Sequence, residues 1–165
     1  MKKTYYVLKG CHYSNFIPCI KRVDDRMVFE QMLRFDPSCE YDIDEASCVN
    51  KLFGFCFGFG VHQNSVRFGW AYDKNTGFIN IYKYVYEDGQ LHKHIAHNVE
   101  LSNYHIYRIV AERKGDNMWM IDFIIDGQTV ATHWCMYSDA CFVTTLGLYF
   151  GGNTPAPHTI KINRY

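Results

Sequence analysis

From residue 51 onward the chain is a succession of short apolar or alternating segments, each bounded by turn-forming residues. Strands in which every second residue is apolar place one face against a core and the other toward solvent. Two connections, Asp88-Gly89 and Asp126-Gly127, carry the dipeptide that favours positive φ at the tip of a tight β-hairpin. The pattern predicts an all-β protein with strands near residues 51–59, 65–72, 78–86, 91–99, 104–112, 118–126, 129–136, 142–150 and 158–164.

The first fifty residues have a weaker pattern. The segments "TYYVLKG" and "RMVFEQMLRF" can each be extended, and the second also fits a helix. No linker or internal repeat divides the chain, and its 165 residues fit one domain with a continuous core. We therefore expect a single β-sandwich over residues 1–165, with residues 1–38 either inside the sandwich or forming an N-terminal arm.

In three consecutive predicted strands, the two faces of the strand carry different kinds of side chain. In "LFGFCFGF" every second residue from Phe53 to Phe59 is phenylalanine, and the opposite face carries small residues such as Gly54 and Gly58. The strand "VRFGWAY" repeats this division, with Trp70 on its bulky face and Arg67 and Gly69 on the other. Small faces on adjacent strands form a surface that a ring or another backbone can approach closely.

The third strand, "FINIYKYVY", carries a row of tyrosines on one face. Aromatic rings beside the small, glycine-containing faces of the neighbouring strands suit sugar stacking or a protein interface. The candidate carbohydrate-binding residues are Trp70, Tyr82, Tyr84 and Tyr86. The alternative is that the large side chains of one strand fill the space left by the small ones of its neighbour, inside the core.

Charge and cysteine content narrow the choice of partner and compartment. Seventeen Lys and Arg balance seventeen Asp and Glu, so the chain has no basic field of the kind that attracts nucleic acid or an anionic membrane. The N-terminus has no apolar signal segment, and no stretch reaches the length of a membrane span. The seven cysteines form no C-x-x-C pair, which predicts reduced thiols in a cytosol and no zinc site.

The stretch "CEYDIDEAS" contains Glu40, Asp42 and Glu45 in the E-x-D-x-x-E spacing of some β-sandwich glycosidases. A retaining glycosidase needs two carboxylates about 5 Å apart in one cleft. On a regular strand Glu45 lies on the opposite face from the other two acids, so this pattern requires a β-bulge. The alternative is a strand end with the acids in solvent and Tyr41 and Ile43 pointing inward.

The histidines give no complete metal site. His92 and His94 share a strand face, whereas His97 falls on the other face unless the strand contains a bulge. No phosphate-binding loop, dinucleotide fingerprint, nucleophile elbow or zinc-protease motif is present. We therefore expect no metal, no cofactor and no catalytic residues.

Two longer stretches resemble a known family. "VNKLFGFCFGFGVHQNSVRFGW" and "LYFGGNTPAPHTIKI" are similar to the paired signatures of small concanavalin A-like jelly-roll proteins encoded by crAss-like and related tailed phages of Bacteroidales. The resemblance extends from about Cys39 to the C-terminus. The chain departs from the family pattern at Gln63, where a second histidine is common. It also departs at "CEYDID", where the usual family sequence is C-R-Y-D-L.

The resemblance implies a two-sheet antiparallel jelly-roll sandwich, concanavalin A-like, whose last strand returns to pair near the beginning. For function it implies a non-enzymatic binding module, as an auxiliary capsid or head-fibre protein of a virion assembled in the bacterial cytoplasm. Other virion proteins would then be its partners, and the resemblance also allows a homo-oligomer. Two alternatives remain: a lectin-like carbohydrate-binding module, and a small laminarinase-like glycoside hydrolase using Glu40, Asp42 and Glu45.

Overall fold

The computed structural model describes residues 3–43, 49–137 and 140–165. Within these residues the chain forms strands and one short 3-10 helix, Pro37–Cys39. The strands are β1 (Lys3–Val7), β2 (Ile20–Arg22), β3 (Arg26–Phe35), β4 (Asn50–Phe57), β5 (Ser65–Asp73), β6 (Phe78–Glu87), β7 (Gln90–Val99), β8 (Tyr104–Arg113), β9 (Met118–Ile125), β10 (Gln128–Met136), β11 (Phe142–Leu146) and β12 (Ile160–Arg164).

The strands form two antiparallel sheets of six. The front sheet has the order β2-β11-β4-β5-β6-β7, and the back sheet has the order β1-β12-β3-β8-β9-β10. The last strand, β12, lies between β1 and β3, so the C-terminus pairs with the beginning of the chain. This architecture confirms the predicted all-β, antiparallel jelly-roll sandwich.

The core fills the space between the sheets. The alternating phenylalanines of β4 point inward, where Phe55 stacks on Phe29 of the back sheet with ring centroids 4.4 Å apart. Phe68 and Trp70 of β5 are fully buried on the same inner side, and Phe123 of β9 packs edge-on against Phe68 from the back sheet. Rings of this size bury large apolar areas and dominate the stability of a sandwich core.

The N-terminal strands are distributed over both sheets: β1 and β3 belong to the back sheet and β2 belongs to the front sheet. The segment "RMVFEQMLRF" is strand β3 and not a helix. Its buried residues, among them Met27 and Phe29, recur at period two, and the strand pairs with β8 on one side and with β12 on the other. The predicted strand 142–150 ends at Leu146. A side chain at Gly147 would overlap the ring of Phe16, and the chain leaves the sheet there.

Local turn chemistry explains the two tight hairpins. Asp88 and Gly89 have φ values of 48° and 79°, and Asp126 and Gly127 have values of 49° and 84°. Two consecutive positive φ angles match the right-handed twist of the flanking strands. The hairpins β6-β7 and β9-β10 confirm the prediction from the D-G dipeptides.

Two β-bulges set the direction of polar side chains. One lies in β4 between Lys51 and Phe53, and it places Lys51 on the outer face although the phenylalanines stay inward. The other lies in β7, where the pairing with β6 shifts at Ala96. As a result His97 pairs with Ile81 and lies on the same inward-facing side as His92 and His94.

Candidate functional site

A groove of about 690 Å³ crosses the outer face of the front sheet. This volume falls within the usual range for ligand sites. Its floor is formed by β4, β5 and β6, and its walls come from three connecting segments. The floor carries Lys51, Arg67, Tyr84 and Tyr86, and the walls carry Tyr13, Ser14, Phe16, Pro18, Val61, His62, Leu146, Gly147, Leu148, Tyr149, Gly152 and Asn153.

Arg67 is the most unusual residue of the floor. It lies opposite Tyr84 in the β5-β6 pairing, and only 7% of its surface is exposed. Its Nε atom has no hydrogen-bond partner, and no carboxylate of the described chain pairs with its guanidinium. Burial lowers the pKa of Arg67, although an arginine side chain stays charged in proteins. The groove therefore contains a fixed, buried positive charge.

Lys51 places a second cation beside the first. Its Nζ donates to the carbonyl oxygen of Gly151 at 3.1 Å, and it lies 5.1 Å from the ring centroid of Tyr84 and 5.6 Å from that of Tyr149. Cations are attracted to the faces of aromatic rings at such distances. The ammonium group is thus held between two tyrosines at the bottom of the groove.

A small hydrogen-bond network holds the wall that contains Tyr149. Asn50 is buried, and its side-chain oxygen accepts from the backbone N–H of Gly151 at 2.5 Å while its amide donates to the hydroxyl of Tyr41 at 2.7 Å. Gly151 has a φ of +71°, and a Cβ at this position would lie 2.1 Å from the carbonyl oxygen of Thr154. Only glycine fits this turn without strain.

The groove tyrosines differ in their surroundings. Burial raises the pKa of Tyr84 well above the ordinary phenol value, and burial also raises the pKa of Tyr149. Both hydroxyls are therefore held in the protonated form at neutral pH. Tyr86 is more exposed, and its ring meets the imidazole of His62 edge-on with centroids 5.2 Å apart. On the opposite wall, Tyr13 packs edge-on against Tyr149 and is 78% exposed.

The structure separates the four predicted carbohydrate-binding residues. Tyr84 and Tyr86 line the groove, and Tyr82 shares their face without lining it. Trp70 is 0% exposed and points into the core, where it contacts Phe35, so it cannot stack against a sugar at this surface. The face of β5 that carries Trp70 and the other large side chains is the inner face. The pairing with β6 places Arg67 and Gly69 on the outer face, together with the tyrosines of β6.

The predicted glycosidase acids form no site among the described residues. Glu40 and Asp42 are exposed in the irregular segment after the 3-10 helix, and Asp42 forms a 2.7 Å ion pair with Lys74. Glu45 lies outside the described residues. Tyr41 and Ile43 pack against the core, which confirms their predicted inward direction.

Sequence reasoning missed Lys51, Arg67 and Tyr149 as groove residues. A signal existed for Arg67, because a charged residue inside a strand of large apolar residues and glycines lies on the face opposite the core. No such signal existed for Tyr149, which follows the last residue of β11 by three positions. In the described part of the chain, no group of three or more His, Cys, Asp or Glu is arranged to hold a metal ion. The described residues also contain no helix long and apolar enough to cross a membrane.

Several solved structures match this chain over most of its length. The alginate lyase Aly36B has a TM-score of 0.71 at 14% identity, over 98% of this chain and 77% of that one. An alginate lyase from Alteromonas sp. 272 has a TM-score of 0.58 at 10% identity, over 99% and 84% of the two chains. An endo-β-1,4-glucuronan lyase from the fungus Trichoderma reesei has a TM-score of 0.53 at 12% identity, over 99% and 77%. At these identities the likeness shows the fold.

No family model and no curated protein matches the sequence. The predicted non-enzymatic virion component is contradicted by the structural comparison, since the solved structures named above are polysaccharide lyases. The prediction that the chain is not an enzyme is corrected on the same ground. The resemblance to phage-encoded proteins, the virion partners and the localisation stay predictions.

Proposed function

We propose that this protein is a polysaccharide lyase that cleaves a polyuronate by β-elimination in the groove. The observation that carries the proposal is Arg67, a buried cation that lines the groove and meets no carboxylate of the described chain. A buried charge without a counter-charge is costly, and a carboxylate of the substrate would supply one. Alginate and glucuronan, on which the structural neighbours act, carry a carboxylate on every sugar.

β-Elimination begins at the carbon atom next to that carboxylate. Its C–H bond breaks and the electrons form a carbon–carbon double bond, while the glycosidic C–O bond breaks and its oxygen takes up a proton. Negative charge develops on the carboxylate as the proton leaves, so fixed cations around it stabilise the transition state. Arg67 and Lys51 are the cations placed for this role, since both lie on the groove floor beside Tyr84.

The proton donor is assigned to Tyr84. Its hydroxyl is held protonated by burial, and it lies opposite Arg67 on the neighbouring strand, where the bound carboxylate would be. A phenol in this position protonates the departing glycosidic oxygen. Proton donation by a positioned side chain accelerates such steps by about 10² to 10⁴-fold.

The proton acceptor is assigned to His62. The groove offers His62 and Tyr149 on different walls, and burial keeps the Tyr149 hydroxyl protonated and thus a poor base. Imidazole is the side chain whose ordinary pKa lies near neutral pH, which suits a general base. His62 lies beside Tyr86 at the end of the groove floor.

The test is to incubate the purified protein with alginate, with glucuronan and with a neutral β-glucan. We expect ultraviolet absorbance from the new double bond with at least one polyuronate and none with the neutral glucan. Tyr84→Phe should reduce turnover by about 10²-fold or more. Tyr104→Phe, which alters an exposed tyrosine on the back sheet, is the control and should leave turnover unchanged.

Two outcomes would overturn the proposal. The first is the absence of double-bond formation on every polyuronate tested by a protein whose melting curve shows that it is folded. The second is the release of reducing ends without new ultraviolet absorbance, since that result indicates hydrolysis and a different pair of catalytic groups.

A further inference from the structure

A second cluster of titratable residues lies behind the groove, on the inner face of β6. Lys83 lies between Tyr82 and Tyr84 of this strand but points to the opposite side, toward the back sheet, and only 8% of its surface is exposed. Its Nζ lies 3.4 Å from Nδ1 of His133 on β10. The other ring nitrogen of His133, Nε2, lies 3.3 Å from Oε2 of Glu87 on β6. The cluster thus joins the front sheet to the edge strand of the back sheet.

The partners of His133 select one tautomer of its ring. An ammonium group donates hydrogen bonds and cannot accept them, so Nδ1 of His133 must be the acceptor toward Lys83. Nε2 then carries the hydrogen and donates to the carboxylate of Glu87. Only the neutral ring satisfies both contacts, since a protonated ring has no acceptor to offer Lys83.

Two further bonds connect the same parts of the molecule. Oε1 of Glu87 accepts from the backbone N–H of Met136 at 2.9 Å, and the hydroxyl of Tyr137 donates to the carbonyl oxygen of Tyr86 at 2.9 Å. β6 is therefore fixed from behind along the stretch whose outer face carries Tyr84 and Tyr86. A shift of β6 would move both groove tyrosines.

Other titratable groups face this cluster from β7. His92 lies 4.0 Å from Oε2 of Glu87, with its ring 5.3 Å from that of His133, and His94 pairs with Lys83 across the strands. Burial lowers the pKa of His133, the charge of Lys83 lowers it further, and Glu87 acts in the opposite direction. Burial and Lys83 also lower the pKa of His94.

We propose that Lys83, His133 and Glu87 form a proton-sensitive latch between the sheets, with His133 as a positioning residue for the groove tyrosines. At neutral pH the neutral imidazole holds β6 against β10. Protonation of His133 places a positive charge next to Lys83, breaks the contact and releases β6. The effect on catalysis depends on the proposed lyase function, whereas the latch itself does not.

The pH dependence has a defined sign. The unfolded chain takes up a proton on His133 at a higher pH than the folded chain does. Stability therefore falls as the pH falls below the ordinary imidazole value of about 6.5, until the folded protein is also protonated. Tyr84 and Tyr86 should change position over the same range.

Three variants separate the latch from simple packing. His133→Gln retains one donor and one acceptor but cannot titrate, so it should keep the latch closed at every pH. His133→Ala should open the latch at every pH and lower the Tm at about pH 8 by roughly 3 to 10 °C. His158→Gln alters an exposed histidine beside Ser38 and is the matched control.

The measurements are Tm and the backbone amide chemical shifts of Tyr84 and Tyr86, recorded from about pH 5 to about pH 8. We expect both to follow the His133 titration in the native protein and in His158→Gln, and to lose that part of their pH dependence in His133→Gln. An unchanged pH dependence in His133→Gln would overturn the latch.

A third measurement separates the latch from the lyase function. If the proposed function holds, alginate cleavage by His133→Gln should decline less at low pH than cleavage by the native protein. If no polyuronate is cleaved at any pH while Tm and the chemical shifts behave as expected, the lyase proposal fails and the latch stands. A Tm shift in His133→Gln without any response of Tyr84 and Tyr86 would refute the positioning role.

Discussion

Replacing Arg67 by methionine removes the buried cation and keeps a side chain of similar length. In the free protein Arg67 is 7% exposed and its Nε has no hydrogen-bond partner, so the residue carries a desolvation cost that no carboxylate of the described residues offsets. Methionine carries no such cost and fills irregular apolar space well. We therefore expect Arg67→Met to be more stable than the native protein and to bind polyuronate poorly.

The two effects have different magnitudes. Replacing buried ionic groups by well-packed apolar residues commonly stabilises a protein by about 1 to 4 kcal/mol. For a chain of this length that corresponds to a Tm increase of roughly 2 to 16 °C. The loss of a charge-assisted pair with a substrate carboxylate costs about 3 kcal/mol, or a decrease in affinity of about 100-fold. Turnover should fall by a further factor of about 10² to 10³ if Arg67 also stabilises developing charge.

The assay compares the native protein with three variants by thermal melting, by calorimetric titration with alginate oligosaccharides and by double-bond formation. Arg67→Lys keeps the charge but loses the planar fork that matches a carboxylate, so it should be intermediate in affinity. Arg108→Met is the matched control, because Arg108 pairs with Glu30 on the exposed surface of the back sheet. An exposed pair of this kind contributes at most about 1 kcal/mol, and its loss should not affect the groove.

A loss of stability together with an unchanged affinity in Arg67→Met would refute this role of Arg67. That result would mean that the guanidinium supports the fold through contacts with the surrounding rings and has no role in binding an anion. Equal loss of affinity in Arg67→Met and Arg108→Met would indicate that general positive charge, and not the groove, attracts the polymer.

The other predictions concern a core tryptophan, a glycine beside the groove and the two acids proposed from the sequence as glycosidase residues. Trp70→Ala should lower the free energy of unfolding by about 3 to 5 kcal/mol in chemical denaturation, because it leaves a cavity in the core, while the folded fraction keeps its affinity for polyuronate. Gly151→Ala should cost more than about 1 kcal/mol and also weaken polyuronate binding, since Lys51 donates to its carbonyl oxygen; Gly115→Ala, at an open position, should be nearly neutral in both measurements. Glu40→Gln and Asp42→Asn should leave double-bond formation unchanged, and a large loss in either variant would return these acids to consideration as catalytic groups.

The strands could be predicted from the sequence because their signals are local. Alternation gives the two faces of a strand, and the D-G dipeptides give the hairpins with their positive φ angles at Asp88 and Asp126. The pattern does not say which face meets the opposite sheet. Trp70 illustrates this limit: it was assigned to a surface with the tyrosines of β6, but in the β5-β6 pairing those tyrosines lie opposite Ser65, Arg67 and Gly69. Which residues are opposed is a property of the register, which one strand alone does not determine.

The groove could not be predicted from the sequence, because it is assembled from distant segments. Lys51 faces outward only because of a bulge in β4, and Tyr149 reaches it through an isolated bridge far along the chain. Tyr13 pairs with Tyr149 from the N-terminal segment. The chain also has no net charge, so its composition gives no indication that two cations converge on one face of the front sheet.

A buried cation distinguishes a lyase from a simple binding module on the same fold. Many functions occur on jelly-roll sandwiches, so the choice must come from the site. A lectin-like groove for neutral sugars needs rings and hydrogen-bonding groups, and it gains little from a guanidinium withdrawn from water. In β-elimination the substrate carboxylate acquires additional negative charge as the neighbouring proton leaves. Under the proposed lyase function, a fixed cation at the position of Arg67 would bind the transition state more tightly than the bound polysaccharide, and this difference would accelerate the reaction.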